Sequence, residues 1–254
     1  MLKSDIVNLL GRKHGLASYL EICVPTTGAQ YAAVDRAQFT RCSRLVYRWS
    51  PEFADGAPVD HAVEGEATDA LLVGWDRAGA RWDLVFVDPW HSYECSLRDL
   101  RLALPLVAER GFLVVHDCSP PDMLFARGAP KERGWCGLTY AAFVDFIRWN
   151  PGLDFYTVDA DYGCAVVARA GSPDAARRSS RPRPEILRIW NALAANSDDR
   201  YRFFDGHRAE LLNLVSVEAF LEREGLRALA AEAGLLPEQG SGARPAPERG
   251  ARRR

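Results

Sequence analysis

The chain has 254 residues, 48% of them hydrophobic and 26% charged, which is enough apolar side chain to bury one sizeable core without disulfide staples. Its 32 basic against 34 acidic side chains leave a formal charge of -2, which supplies no field for gripping nucleic acid or an anionic membrane. No apolar run approaches the roughly 20 residues of a membrane-spanning helix, and the first residues lack the apolar stretch and cleavage site of a secretory signal, so a cytoplasmic protein without membrane or nucleic-acid partners is expected.

In chain order, 18–24 (SYLEICV) is a β-rich run that meets a Pro-Thr-Thr-Gly turn, and 29–39 has helical composition, which predicts strand, tight turn and helix. Residues 44–48 (RLVYR) and 60–64 (DHAVE) are further strand candidates, followed by a helix over 68–77. The continuous apolar run 83–88 (DLVFVD) ends in an acid, as expected of a parallel strand buried on both faces. Over 92–110 the residues Leu97, Leu100, Leu104 and Val107 keep a helical period. A second buried strand, 111–115 (GFLVV), then runs into His116, Asp117 and Cys118.

The Pro/Gly-rich stretch 119–137 is long enough to be a functional lid. A helix over 138–149 precedes strands at 153–158 and 164–168, close enough to form a hairpin, so the pattern predicts an α/β fold with a mostly parallel sheet and one antiparallel strand. Residues 1–170 form the α/β domain, 171–184 a polar linker, 185–236 a helical extension, and 237–254 a low-complexity Gly/Pro/Arg tail expected to be disordered. The helical extension could pack on the domain, cover a pocket or pair two subunits of a homo-oligomer. The six cysteines show no C-x-x-C pair and read as free thiols, and lysine, present only at positions 3, 13 and 131, reads as a compositional bias without mechanism.

In an open parallel sheet the ligand binds outside the carboxyl ends of the strands. Three such ends are polar here: 21–28 (EICVPTTG), 88–93 (DPWHSY) and 116–118 (HDC). Asp88 and Asp117 end separate buried strands, an arrangement that lets two carboxylates share one hard cation such as Mg²⁺. Helix capping or a solvated turn explains strand-end aspartates equally well. His91, three residues past Asp88, could take the proton of a hydroxyl held beside that site, since an ordinary imidazole titrates near neutrality. His116 has a mainly structural reading, Trp90 and Tyr93 line a pocket or close the core, and a Cys118 nucleophile lacks a nearby base other than His116.

The series EICVPTTG, DLVFVDPWHSYECSLRDL, GFLVVHDCSPP and DADYGCAVV resembles the class I S-adenosylmethionine-dependent methyltransferases over about residues 17–169. It is most similar to the branch of metal-dependent O-methyltransferases of sugar, glycan and secondary-metabolite pathways, and the segment LLNLVSVEAFL resembles the helical tail of such members. The resemblance implies a Rossmann-like sheet with an antiparallel last strand and a C-terminal helical extension. It also implies S-adenosylmethionine near Glu21, position 23 and Gly28, metal ligation by Asp88 and Asp117, and deprotonation of the acceptor by His91. The sequence departs from the pattern where Cys23 replaces a family glycine, where no acid follows the second strand until Glu52, and where Cys118 stands for an amide ligand. Glu64 or Glu66 would then serve the adenosine end. The implied activity is methylation of a hydroxyl on a sugar, glycan or small metabolite, and the alternative is a methyltransferase fold that binds or scaffolds without turnover. A nicotinamide dehydrogenase is disfavoured because no G-x-G-x-x-G follows the first strand.

Overall fold

A computed structural model gives the fold, describing residues 1–25, 30–49, 57–129, 135–169, 181–194 and 196–236. Among the described residues, eight strands form one sheet: β1 (Ser18–Cys23), β2 (Arg41–Tyr47), β3 (His61–Val63), β4 (Trp82–Asp88), β5 (Val107–Val115), β6 (Leu153–Val158), β7 (Cys164–Arg169) and β8 (Leu214–Val215), in the order β3-β2-β1-β4-β5-β7-β6-β8. The first five are parallel, β7 runs antiparallel to both β5 and β6, and β8 adds in parallel beyond β6. The sheet is thus mostly parallel with an antiparallel hairpin strand, as the patterning predicts.

Period-two alternation sends successive side chains to opposite faces. Leu20, Ile22, Val85, Val87, Leu113 and Val115 join one apolar layer, while Tyr19, Leu84, Phe86, Phe112 and Val114 join the other. The first layer is covered by α3 (Asp69–Arg77), α4 (Tyr93–Ala103) and α5 (Thr139–Trp149). The second is covered by α1 (Lys3–His14), whose Ile6, Val7, Leu9 and Leu10 are buried. Asp5 accepts the Leu2 N–H at 2.7 Å and Gly15 closes the last turn of α1 in the left-handed region, so the helix is fixed at both ends.

Two predicted helices are shorter in the structure. The expected helix over 29–39 is one turn, α2 (Gln30–Ala33), followed by a 3₁₀ turn (Arg36–Gln38). The Asp35 N–H donates to Asn8 Oδ1 at 2.8 Å, so its bond goes to α1 instead of continuing the helix. The helix expected over 92–110 ends at Ala103, because Pro105 cannot continue it; a 3₁₀ turn (Leu104–Leu106) follows and β5 starts at Val107, four residues early.

Helices α6 (Pro184–Ala192), α7 (Asp198–Leu211), α8 (Val217–Arg223) and α9 (Arg227–Glu232) pack on the same two layers. Trp190 and Phe204 enter the first, and Phe220, Leu221, Leu226 and Ala230 the second. Buried Asp145 on α5 binds them: it accepts from Trp190 Nε1 at 2.8 Å, Arg200 Nη2 at 2.7 Å and Tyr93 Oη at 2.7 Å. The extension thus packs on the domain. Most of the predicted linker, at 171–180, and the predicted disordered tail, 237–254, lie outside the described residues.

Candidate active site

The strand order reverses between β1 and β4, which opens a crevice at their carboxyl ends. A cavity of about 670 Å³ lies there, walled by Val24 and Pro25 after β1, Arg48 and Trp49 after β2, Glu64 to Glu66 after β3, and Trp90 after β4. Arg48 is ion-paired with Glu66 and lies 4.0 Å above the Trp90 ring. Glu64 and Glu66, the two acids named for the adenosine end, both line this cavity. Glu21 and Cys23 are not among these walls. Tyr19 Oη donates to Glu21 at 2.7 Å and Arg44 Nε lies 3.5 Å away, within the sheet face packed against the second layer. Burial pushes the Glu21 carboxyl up despite Tyr19 and Arg44, and pushes the Cys23 thiol well up. Gly28 lies outside the described residues.

Beside the cavity, the ends of β4 and β5 bring the other predicted residues together. Asp88 is the last residue of β4, and Asp117, at φ 60, stands two residues past β5 in a backbone region that side chains other than Gly, Asn and Asp rarely enter. His91 Nε2 is 3.3 Å from Asp117 Oδ2, and His91 Nδ1 is 3.3 Å from Thr139 Oγ1, which in turn meets Ser96 Oγ at 3.1 Å. His116 Nδ1 lies 3.2 Å from Asp117 Oδ2 and 3.4 Å from Asp88 Oδ1. Lys3, the first residue of α1, closes the centre, its Nζ 2.7 Å from Asp88 Oδ2 and its backbone N–H donating to Asp161 Oδ2 at 2.9 Å.

Two close glycine contacts hold this geometry. Gly137, at φ 55, passes so near His91 that an added Cβ would stand 2.1 Å from the His91 carbonyl oxygen. Gly163, at φ 87, follows Asp161 and Tyr162, both also at positive φ, and its Cβ would stand 2.6 Å from the Ser119 nitrogen. The first fixes the His91 loop under 135–138; the second shapes the turn that aims Asp161 at Lys3 and His116. Trp135 leans edge-on against both Trp90 and His91, with ring centres 4.9 and 5.1 Å away, and shields the imidazole from water.

Electrostatics separate the two imidazoles. Burial holds His91 below its ordinary range, outweighing Asp117 and Asp88, so it is neutral near pH 7. Burial would also lower His116, but the facing carboxylates of Asp117 and Asp88 raise it well above the ordinary value. Asp88 is held well below the usual carboxylate range because Lys3 and His116 overcome its desolvation. Cys118 is fully buried, and burial pushes its thiol well up. All six cysteines are free.

Asp88, His116 and Asp117 offer ligand atoms within 4.8 Å of one another. Mg²⁺ takes oxygen ligands, yet one of these three is an imidazole bonded to both carboxylates, and the Lys3 ammonium already sits on Asp88. The set as it stands does not fit Mg²⁺. The 670 Å³ cavity does fit a nucleoside-sized cofactor, with an aromatic wall at Trp90 and a carboxylate at Glu64 for hydroxyl groups. A second, smaller cavity of about 310 Å³ lies between Ser119, Pro121, 159–162 and Arg208, sharing Asp161 with the centre.

Residues 11–118 match a family model described as a methyltransferase domain. No curated protein matches the chain. Similar solved structures include the SAH-bound methyltransferase PaMTH1 of Podospora anserina, 18% identical over 66% of this chain and 77% of that one, with a TM-score of 0.47. The SAM-bound O-methyltransferase TomG of Streptomyces achromogenes, involved in tomaymycin synthesis, is 20% identical over 66% and 80%, with a TM-score of 0.47. An SAH-bound O-methyltransferase of Bacillus cereus is 14% identical over 66% and 80%, with a TM-score of 0.48. Residues 11–118 are thus similar to a methyltransferase domain, and the strand order is that of a mostly parallel, Rossmann-like sheet.

Lys3, Thr139 and Asp161 had no role in the sequence reading. A lysine in a chain otherwise stocked with arginine was the available signal for Lys3; nothing in a single sequence pairs Thr139 with His91, 48 residues away.

Proposed function

We propose that the protein transfers a methyl group from S-adenosylmethionine to a hydroxyl oxygen, with His91 as the general base. The observation that carries this reading is a neutral, buried imidazole held between Thr139 and Asp117 beside a nucleoside-sized cavity at the switch point of the sheet. When bound, S-adenosylmethionine supplies an electrophilic methyl on a sulfonium, and the C–S electron pair leaves with sulfur as a neutral thioether. Glu64 faces the cavity where ribose hydroxyls would need an acceptor, and Trp90 gives a flat wall for a base.

With Nδ1–H donating to the Thr139 hydroxyl, which donates its own hydrogen to Ser96, Nε2 is an acceptor directed at the centre beside Asp117 Oδ2, also an acceptor. An acceptor hydroxyl there directs its hydrogen between these two atoms and gives the proton to Nε2 as its oxygen bonds to the methyl carbon. The imidazolium so formed donates to Asp117 Oδ2, whose carboxylate stabilises it. Asp88 keeps the neighbouring charges in place through Lys3 and His116, and Trp135 limits access of water. The smaller cavity, with Asp159, Asp161 and Arg208 on its walls, supports a polyhydroxylated acceptor such as a sugar, glycan or secondary metabolite.

A second reading, a methyltransferase fold that binds without turnover, is favoured by Arg48 at the end of β2, where the family commonly has an acid for the ribose. The test is release of S-adenosylhomocysteine with a panel of sugars, glycosides and phenols, for the wild type and His91→Ala. Turnover by the wild type and its loss in His91→Ala, with cofactor affinity retained, supports the enzyme. Turnover by His91→Ala at the wild-type rate refutes the assigned base, and cofactor binding without turnover on any acceptor favours the second reading.

A further inference from the structure

The polar centre holds a cation that this mechanism does not use as a reacting group. Lys3 arrives from α1, on the far side of the sheet from α4 and α5, and its ammonium lies 2.7 Å from Asp88 Oδ2 and 3.4 Å from His116 Nδ1. Its side chain is only 18% exposed. Both parts of the residue are engaged, because its backbone N–H also donates to Asp161. The helix that carries it cannot swing aside cheaply: Ile6, Val7, Leu9 and Leu10 are buried in the second layer, and Asn8 and Arg12 are bonded to Ala33 and Asp35. Three carboxylates, Asp88, Asp117 and Asp161, face this ammonium, and it supplies a fixed positive charge among them.

A divalent ion shared by Asp88 and Asp117 would have to sit against that fixed charge in a buried site, where like charges are poorly screened. An ammonium on a flexible stem that already satisfies Asp88 makes the metal superfluous for holding the carboxylate. We propose that Lys3 is the resident cation of this centre, a positioning residue that holds Asp88 in place of a divalent metal, so that the centre binds no divalent ion tightly while Lys3 is present. The proposal rests on the methyltransferase reading only for the use made of the centre; the ion it excludes can be measured without turnover.

The experiment is titration of the full chain with Mn²⁺, followed by the loss of the free-ion electron paramagnetic resonance signal, for the wild type, Lys3→Met and Lys3→Arg. The expected result is millimolar or weaker binding by the wild type and by Lys3→Arg, which keeps the cation, and at least tenfold tighter binding by Lys3→Met. Adding Asp88→Asn to Lys3→Met should abolish the gain, which locates the ion. Micromolar Mn²⁺ binding by the wild type overturns the proposal, as does a folded Lys3→Met with unchanged affinity. Should Lys3→Met fail to fold, the wild type and Lys3→Arg decide: weak binding by both supports the proposal and tight binding by either overturns it. Titration of the same samples with S-adenosylmethionine keeps the two readings apart, since failure to bind cofactor defeats the methyltransferase reading and leaves the Mn²⁺ result intact.

Discussion

Replacing Asp145 by alanine is expected to loosen the C-terminal helices from the sheet and lower stability by about 5 kcal/mol. Asp145 and Arg200 are a buried pair, each side chain 5% exposed, with Nη2 and Oδ2 2.7 Å apart. Removing one partner of such a pair strands a charge and costs about 3–5 kcal/mol. The Trp190 N–H and the Tyr93 hydroxyl lose the same acceptor, and a buried donor left unsatisfied costs roughly 1–3 kcal/mol, though three losses at one carboxylate do not simply add. For a chain of this size each kcal/mol lowers the melting temperature by about 2–4 °C, so a fall of roughly 10–20 °C is expected. Asp145→Asn keeps an acceptor for Trp190 and should lose less. The assay is thermal and urea unfolding followed by far-UV circular dichroism, with tryptophan fluorescence reporting on the Trp190 site. A loss below about 1 kcal/mol for Asp145→Ala would refute the claim that this carboxylate ties α6 and α7 to α5, since that is the size of an ordinary surface or loosely packed substitution.

Further outcomes follow from the site geometry. Gly137→Ala must move the His91 carbonyl or the 135–138 backbone by about 1 Å to relieve a 2.1 Å contact, so methyl transfer should fall about a hundredfold with cofactor affinity little changed; equal losses in both would show a general collapse. The base must be neutral to act, and burial lowers its pKa, so kcat/KM should rise with pH along an acid limb whose midpoint lies below 6.5; a limb centred above that value contradicts the environment assigned to His91. Thr139→Val removes the partner that fixes the His91 tautomer and should lower kcat more than it changes KM, whereas Thr139→Ser should restore most of the rate. Asp88 has a folded-state pKa held below its unfolded value, so it stabilises the fold above pH about 4, and that contribution is lost as pH falls further; an Asp88→Asn variant should therefore show a flatter acid limb of stability than the wild type, and an identical limb would show that Lys3 does not govern this carboxylate.

Much of the fold was legible in the sequence because its strands are buried on both faces. Runs such as DLVFVD and GFLVV are strongly apolar and end in polar residues, which puts Asp88, His91 and Asp117 at one mouth of the sheet. Where local composition was in competition with a tertiary bond or a proline, the reading failed: Asn8 takes the Asp35 N–H and stops one helix, and Pro105 hands 107–110 to β5. Glu21 shares the β1 face of Tyr19, whose hydroxyl donates to it, and meets Arg44 there, contacts that its motif position does not reveal. The partners that set the charge of the centre come from remote stretches of chain, Lys3 from the first helix and Asp161 from the β6–β7 turn, and spacing along a sequence carries no trace of such contacts.

The central claim, that the switch-point cavity is a cofactor site of a methyltransferase, is tested most directly by calorimetric titration of the whole chain with S-adenosylmethionine and S-adenosylhomocysteine, with and without Mg²⁺. The account predicts micromolar binding of both, competition between them, and no change on adding Mg²⁺. Absence of binding to either ligand at millimolar concentration would contradict it.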